Sequence, residues 1–282
     1  MIVGICGAGT MGRGIAIASI LSGHRVVLFD INQGAVDSAV TYVHSQLQKS
    51  VEKGKLTEQA YKAAEIHGGT ELALLAPADL VVEAVAELIE IKHALFTKIE
   101  EIVRPSCILT TNTSSISIAS IARALKAPER FAGLHFFNPA HIMKLVEVIK
   151  GPRTSEATIA VCVEFANGLS KSPVVAKDAP GFIVNRIARN YYNESQRIVM
   201  EGAGSIENVD TLMKGLGFKM GPFELMDLIG VDVNLDVTKS QWNQFFQEPR
   251  FTPSLMQQQA VDAGLHGKKS GRGFYDYSVG DK

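Results

Sequence analysis

His135 and Glu147 are the pair in this chain best suited to moving a proton. His135 follows the apolar run Phe131-Ala132-Gly133-Leu134 and precedes Phe136-Phe137-Asn138-Pro139, so it leaves a predicted strand at the edge where α/β sheets place their ligands. Glu147 is the single acid in a second apolar run, Leu145-Val146-Glu147-Val148. There it is either a solvent-face residue or a buried partner for an imidazole. In the second case the carboxylate fixes the tautomer and stabilises the imidazolium formed when the ring takes a proton. Spacing alone leaves both readings open. His24, His44, His67, His93 and His266 fall near predicted helix ends, helix faces or loops, where a solvated histidine is the default, and His141 reads as a loop histidine.

A second pattern could hold an anion. The apolar run Ile2-Val3-Gly4-Ile5-Cys6 enters Gly7-Ala8-Gly9-Thr10-Met11-Gly12, and a further run, Val26-Val27-Leu28-Phe29, ends at Asp30. Gly7 makes the tight turn, Gly9 lets backbone approach a pyrophosphate, and Gly12 permits close packing of the helix whose N-terminus faces the phosphate charge. Asp30 accepts hydrogen bonds from an adenosine ribose and repels a 2′-phosphate, which favours NAD over NADP. No metal is called for, because the chain has neither a C-x-x-C pair nor H-E-x-x-H.

These residues need a sheet edge to position them. Further β-branched runs at Leu80-Val81-Val82-Glu83, Cys107-Ile108-Leu109-Thr110, Phe131 to Phe137 and Pro173 to Ala176 alternate with helical patterns. The expectation is an α/β fold, a Rossmann-type mostly parallel sheet followed by an all-α C-terminal domain. A polar, helix-prone excursion at 33–64 reads as a helical hairpin projecting from the sheet. Asp178-Ala179-Pro180-Gly181 joins two breakers, and helical patterns take over at 182–201, 205–216 and 222–228. The expected domains are 1–180, for the dinucleotide, and 181–282, for substrate and dimerisation. Gly271-Arg272-Gly273-Phe274-Tyr275 reads as a turn tucking the tail against something larger.

Composition narrows the partners. The chain has 282 residues, 46% of them hydrophobic, and a formal net charge of −1, so no global field attracts nucleic acid or an anionic membrane. Three widely spaced cysteines, Cys6, Cys107 and Cys162, suit buried free thiols in a reducing compartment. No apolar run approaches a membrane span, and the glycine turn starts too soon after Met1 for a signal peptide. The expectation is a cytoplasmic protein.

Taken together, Gly7 to Gly12, Asn112-Thr113-Ser114-Ser115, His135 to Pro139 with Met143-Lys144-Leu145-Val146-Glu147, Pro180 to Arg186 and Gly221-Pro222-Phe223 carry a resemblance. In order and spacing, nearly end to end, the chain resembles the L-3-hydroxyacyl-CoA dehydrogenases, in particular the short bacterial 3-hydroxybutyryl-CoA dehydrogenases. The resemblance implies reversible oxidation of a (3S)-3-hydroxyacyl-CoA with NAD. It makes His135 the general base and Glu147 its orienting partner. It gives Ser114 and Asn185 the positioning of substrate and nicotinamide, although Ser114 also suits a cap for a helix beginning near Ile116 and Asn185 an exposed helix position. Asn138 lies near the nicotinamide in the family pattern, or is a turn residue before Pro139. Glu87, Lys92, Asn112 and Lys269, with Thr10 and Met11 in the glycine turn, correspond to family cofactor contacts; the bland reading of Glu87 and Lys92 is a surface ion pair. Lys53, beside Lys49 and Lys55, aligns with a contact to coenzyme A, whose adenosine 3′-phosphate suits a lysine.

The resemblance also implies a homodimer formed through the C-terminal helices, with the active site in the cleft between the domains. Ile183, Ile187, Tyr191, Leu225, Leu228 and Ile229 are spaced to pack there. The alternatives are a dehydrogenase of a longer or dicarboxylic 3-hydroxyacyl-CoA, a dehydrogenase of a free hydroxy acid, and a catalytically retired dinucleotide-binding structural protein. Free-acid enzymes commonly use a lysine base, against which His135 and Glu147 speak.

Overall fold

Runs of apolar residues without alternation make strands buried on both faces, as in the centre of this sheet, while the edge strands at 66–69 and 172–177 stay largely exposed or half-buried. β1 (Ile2–Cys6), β2 (Arg25–Phe29), β3 (Ile66–Gly69), β4 (Leu80–Glu83), β5 (Ile108–Thr111), β6 (Phe131–Phe136), β7 (Leu145–Lys150) and β8 (Ser172–Lys177) form one sheet in the order β3-β2-β1-β4-β5-β6-β7-β8. The structure, a computed structural model, describes residues 1–278, so the last four residues of the expected second domain lie outside the described residues. It divides into two compact units, one ending at Ala179 and one beginning at Pro180.

In the first unit every strand pair is parallel except β6 with β7. The segment between β6 and β7 carries no helix to cross over the sheet, so the chain returns antiparallel. That return puts His135 directly opposite Glu147 in the register. The order reverses between β1 and β4, which opens a crevice at the carboxyl ends of the strands. α1 (Thr10–Leu21) fills one face with Ile15, Ile17 and Ile20, all in the core cluster with Val3, Leu28 and Val82. Each such side chain contributes about 1.5–3 kcal/mol by leaving water.

The excursion at 33–64 differs from a projecting hairpin. α2 (Gln33–Glu52), capped by Asn32, buries Val36, Ala39, Val43 and Leu47, and several of these join the same core as α1. The second arm, α3 (Glu58–Lys62), has five residues and buries none of them. An apolar stripe at 3.6-residue spacing needs a surface to cover it, and the helix on the sheet supplies one. α4 (Ile89–Ile102), α5 (Ile118–Ala122) and α6 (Glu156–Gly168) complete the unit. Cys6, Cys107 and Cys162 are buried free thiols, and burial pushes the latter two up to about 12.

The second unit consists of α7 (Val184–Met200), α8 (Ile206–Gly215), α9 (Pro222–Ile229), α10 (Val231–Gln244) and α11 (Leu255–Asp262). Its apolar cluster is Tyr192, Val209, Phe223 and Met226. Sequence periodicity reveals neither α10 nor α11; in α10 the polar Asn234, Thr238 and Gln241 are buried beside Val231 and Leu235 and break the apolar stripe, and Arg189 of α7 donates to Asn234 O (2.7 Å) and Thr238 Oγ1 (2.8 Å). The tail closes on α9. The buried Asp227 carboxylate accepts from Phe274 N (2.9 Å), Tyr275 N (2.9 Å) and Tyr277 Oη (3.0 Å), while the Phe274 ring meets Phe223 edge-on at 5.0 Å. No described helix is long and apolar enough to cross a membrane.

Removing the Asp227 carboxylate leaves three donors unpaired at roughly 1–3 kcal/mol each when they stay buried. Asp227→Ala is expected to destabilise the protein by about 2–4 kcal/mol after relaxation and to make the chain beyond Gly264 cleavable by protease. Wild-type melting with a protected tail would refute the strap.

Candidate active site and cofactor cavity

The glycine turn is built by exclusion of side chains. A Cβ on Gly7 would stand 2.5 Å from Ala84 O, and one on Gly12 would stand 1.8 Å from Gly7 O, while one on Gly9 would meet nothing within 4 Å. Gly7 also holds φ +109°, a conformation that favours glycine. The open space lies at Gly9, the N-cap of α1, whose first turn has no acidic residue and no side-chain cap. Helix N–H groups there suit a phosphate. Thr10 and Met11 open the helix.

Asp30 directly follows β2 and ties the glycine turn to it, accepting from Ala8 N (2.8 Å) and, on its own loop, from Asn32 N (3.0 Å). It lines a cavity of about 760 Å³ with Gly7, Gly9, Ile31, Ala84, Val85 and others. A carboxylate has about four lone-pair sites, so the two backbone bonds leave acceptor capacity for ribose hydroxyls. These residues fit the adenosine and pyrophosphate of NAD.

His135 and Glu147 meet across β6 and β7. Nδ1 of the buried His135 donates to Oε2 of the buried Glu147 at 2.8 Å, since an ionised carboxylate only accepts. Nε2 is then the basic nitrogen of that tautomer. The Phe137 ring lies 4.5 Å from the imidazole centroid, tilted by 52°. Asn112 holds the neighbouring backbone, its Oδ1 accepting from Phe136 N at 2.8 Å. Because β6 is parallel to β5 and so to β1, His135 stands at the same sheet edge as the glycine turn.

Ser114 follows β5 on a loop clamped by Glu87, which accepts from Ser114 N (3.0 Å), Ser115 N (3.2 Å) and Ser115 Oγ (3.0 Å). Ser114 is not the helix cap. α5 begins at Ile118, and Ser117 caps it, while Asp178 accepts from Ile118 N and Ala119 N. In the Lys92–Glu87 pair Glu87 reaches the surface but Lys92 does not. Lys92 is 1% exposed, with Nζ 2.6 Å from Glu83 Oε1 and 3.1 Å from Glu87 Oε2. Two of the three donors of its ammonium thus face carboxylates. Burial raises the Glu87 carboxyl, but the Lys92 charge and the hydrogen bonds from Thr113, Lys92 and Ser115 outweigh it and hold the group below its ordinary value. The loop clamp therefore stabilises above the ordinary carboxylate range and is lost as pH falls through the folded value. Glu83, which sequence reasoning passed over as strand filler, is the buried acid joining these groups; a charged residue closing the run Leu80-Val81-Val82 was the available signal.

Asn138 is exposed and joined to Pro139 by a cis peptide, in a turn where Ala140 packs within 3.2 Å of a Cβ placed on Gly14. His141, one residue on, has a ring held below its usual value by burial and by Lys171, whose ammonium bonds Ala140 O (2.7 Å) and Met143 O (2.8 Å). Lys53 is exposed at the C-cap of α2, one turn beyond the exposed Lys49. Asn185 and Lys269 belong to the second unit. Asn185 lies in the first turn of α7, and Lys269 pairs with Asp232 at 2.6 Å. Among the described residues no group of three or more His, Cys, Asp or Glu could hold a metal.

A glycine turn at a switch point, an acid ending the second strand and a carboxylate-held histidine at the same edge define a dinucleotide-dependent oxidoreductase of the α/β class. Comparison with known proteins narrows this. Residues 2–179 match the model of the 3-hydroxyacyl-CoA dehydrogenase NAD binding domain, and residues 181–277 match that of the 3-hydroxyacyl-CoA dehydrogenase C-terminal domain. The chain belongs to the 3-hydroxyacyl-CoA dehydrogenase family. It is an oxidoreductase, and its cofactor is NAD.

The 3-hydroxyadipyl-CoA dehydrogenase of Escherichia coli is 48% identical over 278 residues, covering 98% of this chain but 58% of that protein. This chain thus spans little more than half the length of that relative. A probable 3-hydroxybutyryl-CoA dehydrogenase of Deinococcus radiodurans is 42% identical, covering 97% of this chain and 99% of the other. The crystal structure of (S)-3-hydroxybutyryl-CoA dehydrogenase from Ralstonia eutropha superimposes with a TM-score of 0.94 at 40% identity, covering 98% of both chains.

The two glycines should separate on substitution. Gly9→Ala, whose Cβ meets no protein atom, is expected to melt with the wild type yet bind NADH at least tenfold more weakly, whereas Gly12→Ala forces its Cβ into Gly7 O and loses stability as well. Calorimetry with a fluorescence titration of NADH reads both. Equal NADH affinity in Gly9→Ala would mean that no phosphate lies at the turn.

Proposed function

We propose that the protein interconverts a short-chain (3S)-3-hydroxyacyl-CoA, 3-hydroxybutyryl-CoA, and its 3-oxoacyl-CoA, acetoacetyl-CoA. The reading rests chiefly on the His135–Glu147 pair at the edge that carries the glycine turn. In the oxidative direction His135 Nε2 takes the proton of the 3-hydroxyl, and Glu147 stabilises the imidazolium so formed. NAD, when bound, accepts the hydride released from C3. In reduction the imidazolium returns the proton to the 3-oxo oxygen. Ser114 and Asn185 orient the acyl group and the nicotinamide, with Asn112, Asn138 and Lys269 as further cofactor contacts. Glu87 and Lys92 are cofactor contacts in the same reading, and Glu87 also holds the Ser114 loop. Lys53 meets the 3′-phosphate of coenzyme A as a point charge.

The same reading includes a cytoplasmic homodimer built through the helices after Gly181. On α7 and α9, Ile187 is 67% exposed, Leu228 52% and Ile229 43%, an apolar face for a two-fold contact. Tyr191 and Leu225, in contrast, pack against the unit's own cluster, and Tyr191 stacks on Phe218 at 5.0 Å. Sedimentation should give a dimer for the wild type and a monomer for Ile187→Glu with Leu228→Glu. A monomeric wild type removes the interface from the reading.

The activity is tested by following NADH consumption with acetoacetyl-CoA, with longer 3-oxoacyl-CoAs and with 3-oxoadipyl-CoA, the last because of the name of the Escherichia coli relative. Acetoacetyl-CoA should give the highest kcat/KM. His135→Gln should lower kcat by about 10² or more with NADH affinity nearly intact, as loss of a general base does. Comparable turnover in that variant would remove His135 from the chemistry.

A further inference from the structure

The end of β4 carries an ion network, buried at Glu83 and Lys92 and reaching the surface at Glu87, that proton transfer does not use. Glu83, wholly buried, accepts from Lys92 Nζ (2.6 Å), Thr111 Oγ1 (2.6 Å) and Val85 N (2.8 Å). Lys92 passes the contact to Glu87, and Glu87 holds Thr113 Oγ1 as well as the amides of Ser114 and Ser115. Two carboxylates facing one ammonium leave one negative charge in excess. The donors of Val85, Thr111, Thr113, Ser114 and Ser115 are what offset it.

Such a network is a poor device for stability alone, because apolar side chains of similar volume often serve as well in a core. What it can do and apolar packing cannot is fix the direction of a loop through charge-assisted hydrogen bonds. The place of Glu83 in the sheet makes that direction matter. It stands in register between Cys6, the last residue before the glycine turn, and Thr111, the last strand residue before Asn112 and Ser114. Its main chain joins both sides too, with Asn112 N donating to Glu83 O (2.7 Å) and Ala84 N to Cys6 O (2.7 Å). Val85, held by its side chain, lines the cavity shared with Gly7 and Gly9.

We propose that Glu83 is a positioning residue for the reaction, setting the Ser114 loop through Lys92 and Glu87. The inference rests on the reading of Ser114 as a residue that orients the acyl-CoA. Glu83 itself touches no reacting atom. Losing its charge should misplace Ser114 by a fraction of an ångström, which lowers kcat while the fold persists.

A double-mutant cycle in the full-length enzyme tests this, with Glu83→Gln, Ser114→Ala and the double variant measured for kcat, KM for acetoacetyl-CoA, NADH affinity and melting. Glu83→Gln should melt above the assay temperature, bind NADH within about threefold of the wild type and lose about tenfold in kcat. In the Ser114→Ala background the same change should cost less than about twofold, because residues acting through one contact are not additive. Equal losses in both backgrounds, or unchanged kcat in folded Glu83→Gln, overturn the relay and leave the role of Ser114 standing. A silent Ser114→Ala overturns that role, and with it the relay. If Glu83→Gln does not fold, Glu83→Asp, which keeps the charge but draws the carboxylate back from Lys92 and Thr111, enters the same cycle with the same criteria.

Discussion

Where parallel strands end, their last amides and the loops beyond them leave donors that no neighbouring strand can satisfy, and the first unit meets this constraint with carboxylates. Asp30 takes the amides of Ala8 and Asn32, Glu83 that of Val85, Glu87 those of Ser114 and Ser115, and Asp178 those of Ile118 and Ala119. Each acid closes a loop that leaves the carboxyl edge of the sheet or a helix that follows one. The glycine turn, the cavity beside it and the Ser114 loop keep their shapes because these acceptors are in place. The chemistry at this edge thus depends on charges that do no chemistry themselves.

The histidine pair follows the same logic by a different route. A short return between β6 and β7 makes them antiparallel, and antiparallel register puts residues opposite one another on one face. Twelve residues of separation become a 2.8 Å hydrogen bond. A crossover helix in that position would have made the pair parallel and changed the register, so the acid partner of His135 depends on the absence of an element as much as on Glu147.

The second unit inverts the usual arrangement of an amphipathic helix. α7 turns Arg189, Asn193 and Gln196 inward and leaves Ile187 and Met200 exposed. Arg189 is 3% exposed, bonds neutral oxygens of Asn234 and Thr238 and lies 4.8 Å over the Tyr192 ring, and burial brings it down to about 10. A polar seam of this kind specifies how helices seat while giving little net stability. The apolar cluster and the Asp227 strap are left to hold the unit together.

By itself the amino-acid sequence determined what depends on short range. The glycine spacing, the unbroken β-branched runs, the acid closing β2 and the breakers at 178–181 are local signals, and each names its element without reference to the rest of the chain. Long motifs in fixed order also made the family legible. Tertiary structure alone decided which way a charged residue faces. Lys92 on the first turns of a helix looks like a solvated surface lysine, yet it is buried because Glu83, nine positions earlier, and the loop beyond β5 close around it. Glu147 could have faced water until β6 was laid against it. The helical excursion at 33–64 looked free until α1 supplied a surface for its stripe, and α10 stayed hidden because polar Asn234, Thr238 and Gln241 share its buried face with Val231 and Leu235. In every one of these cases the deciding energy is the desolvation of a group by residues distant in the chain, a quantity with no value until the chain has folded.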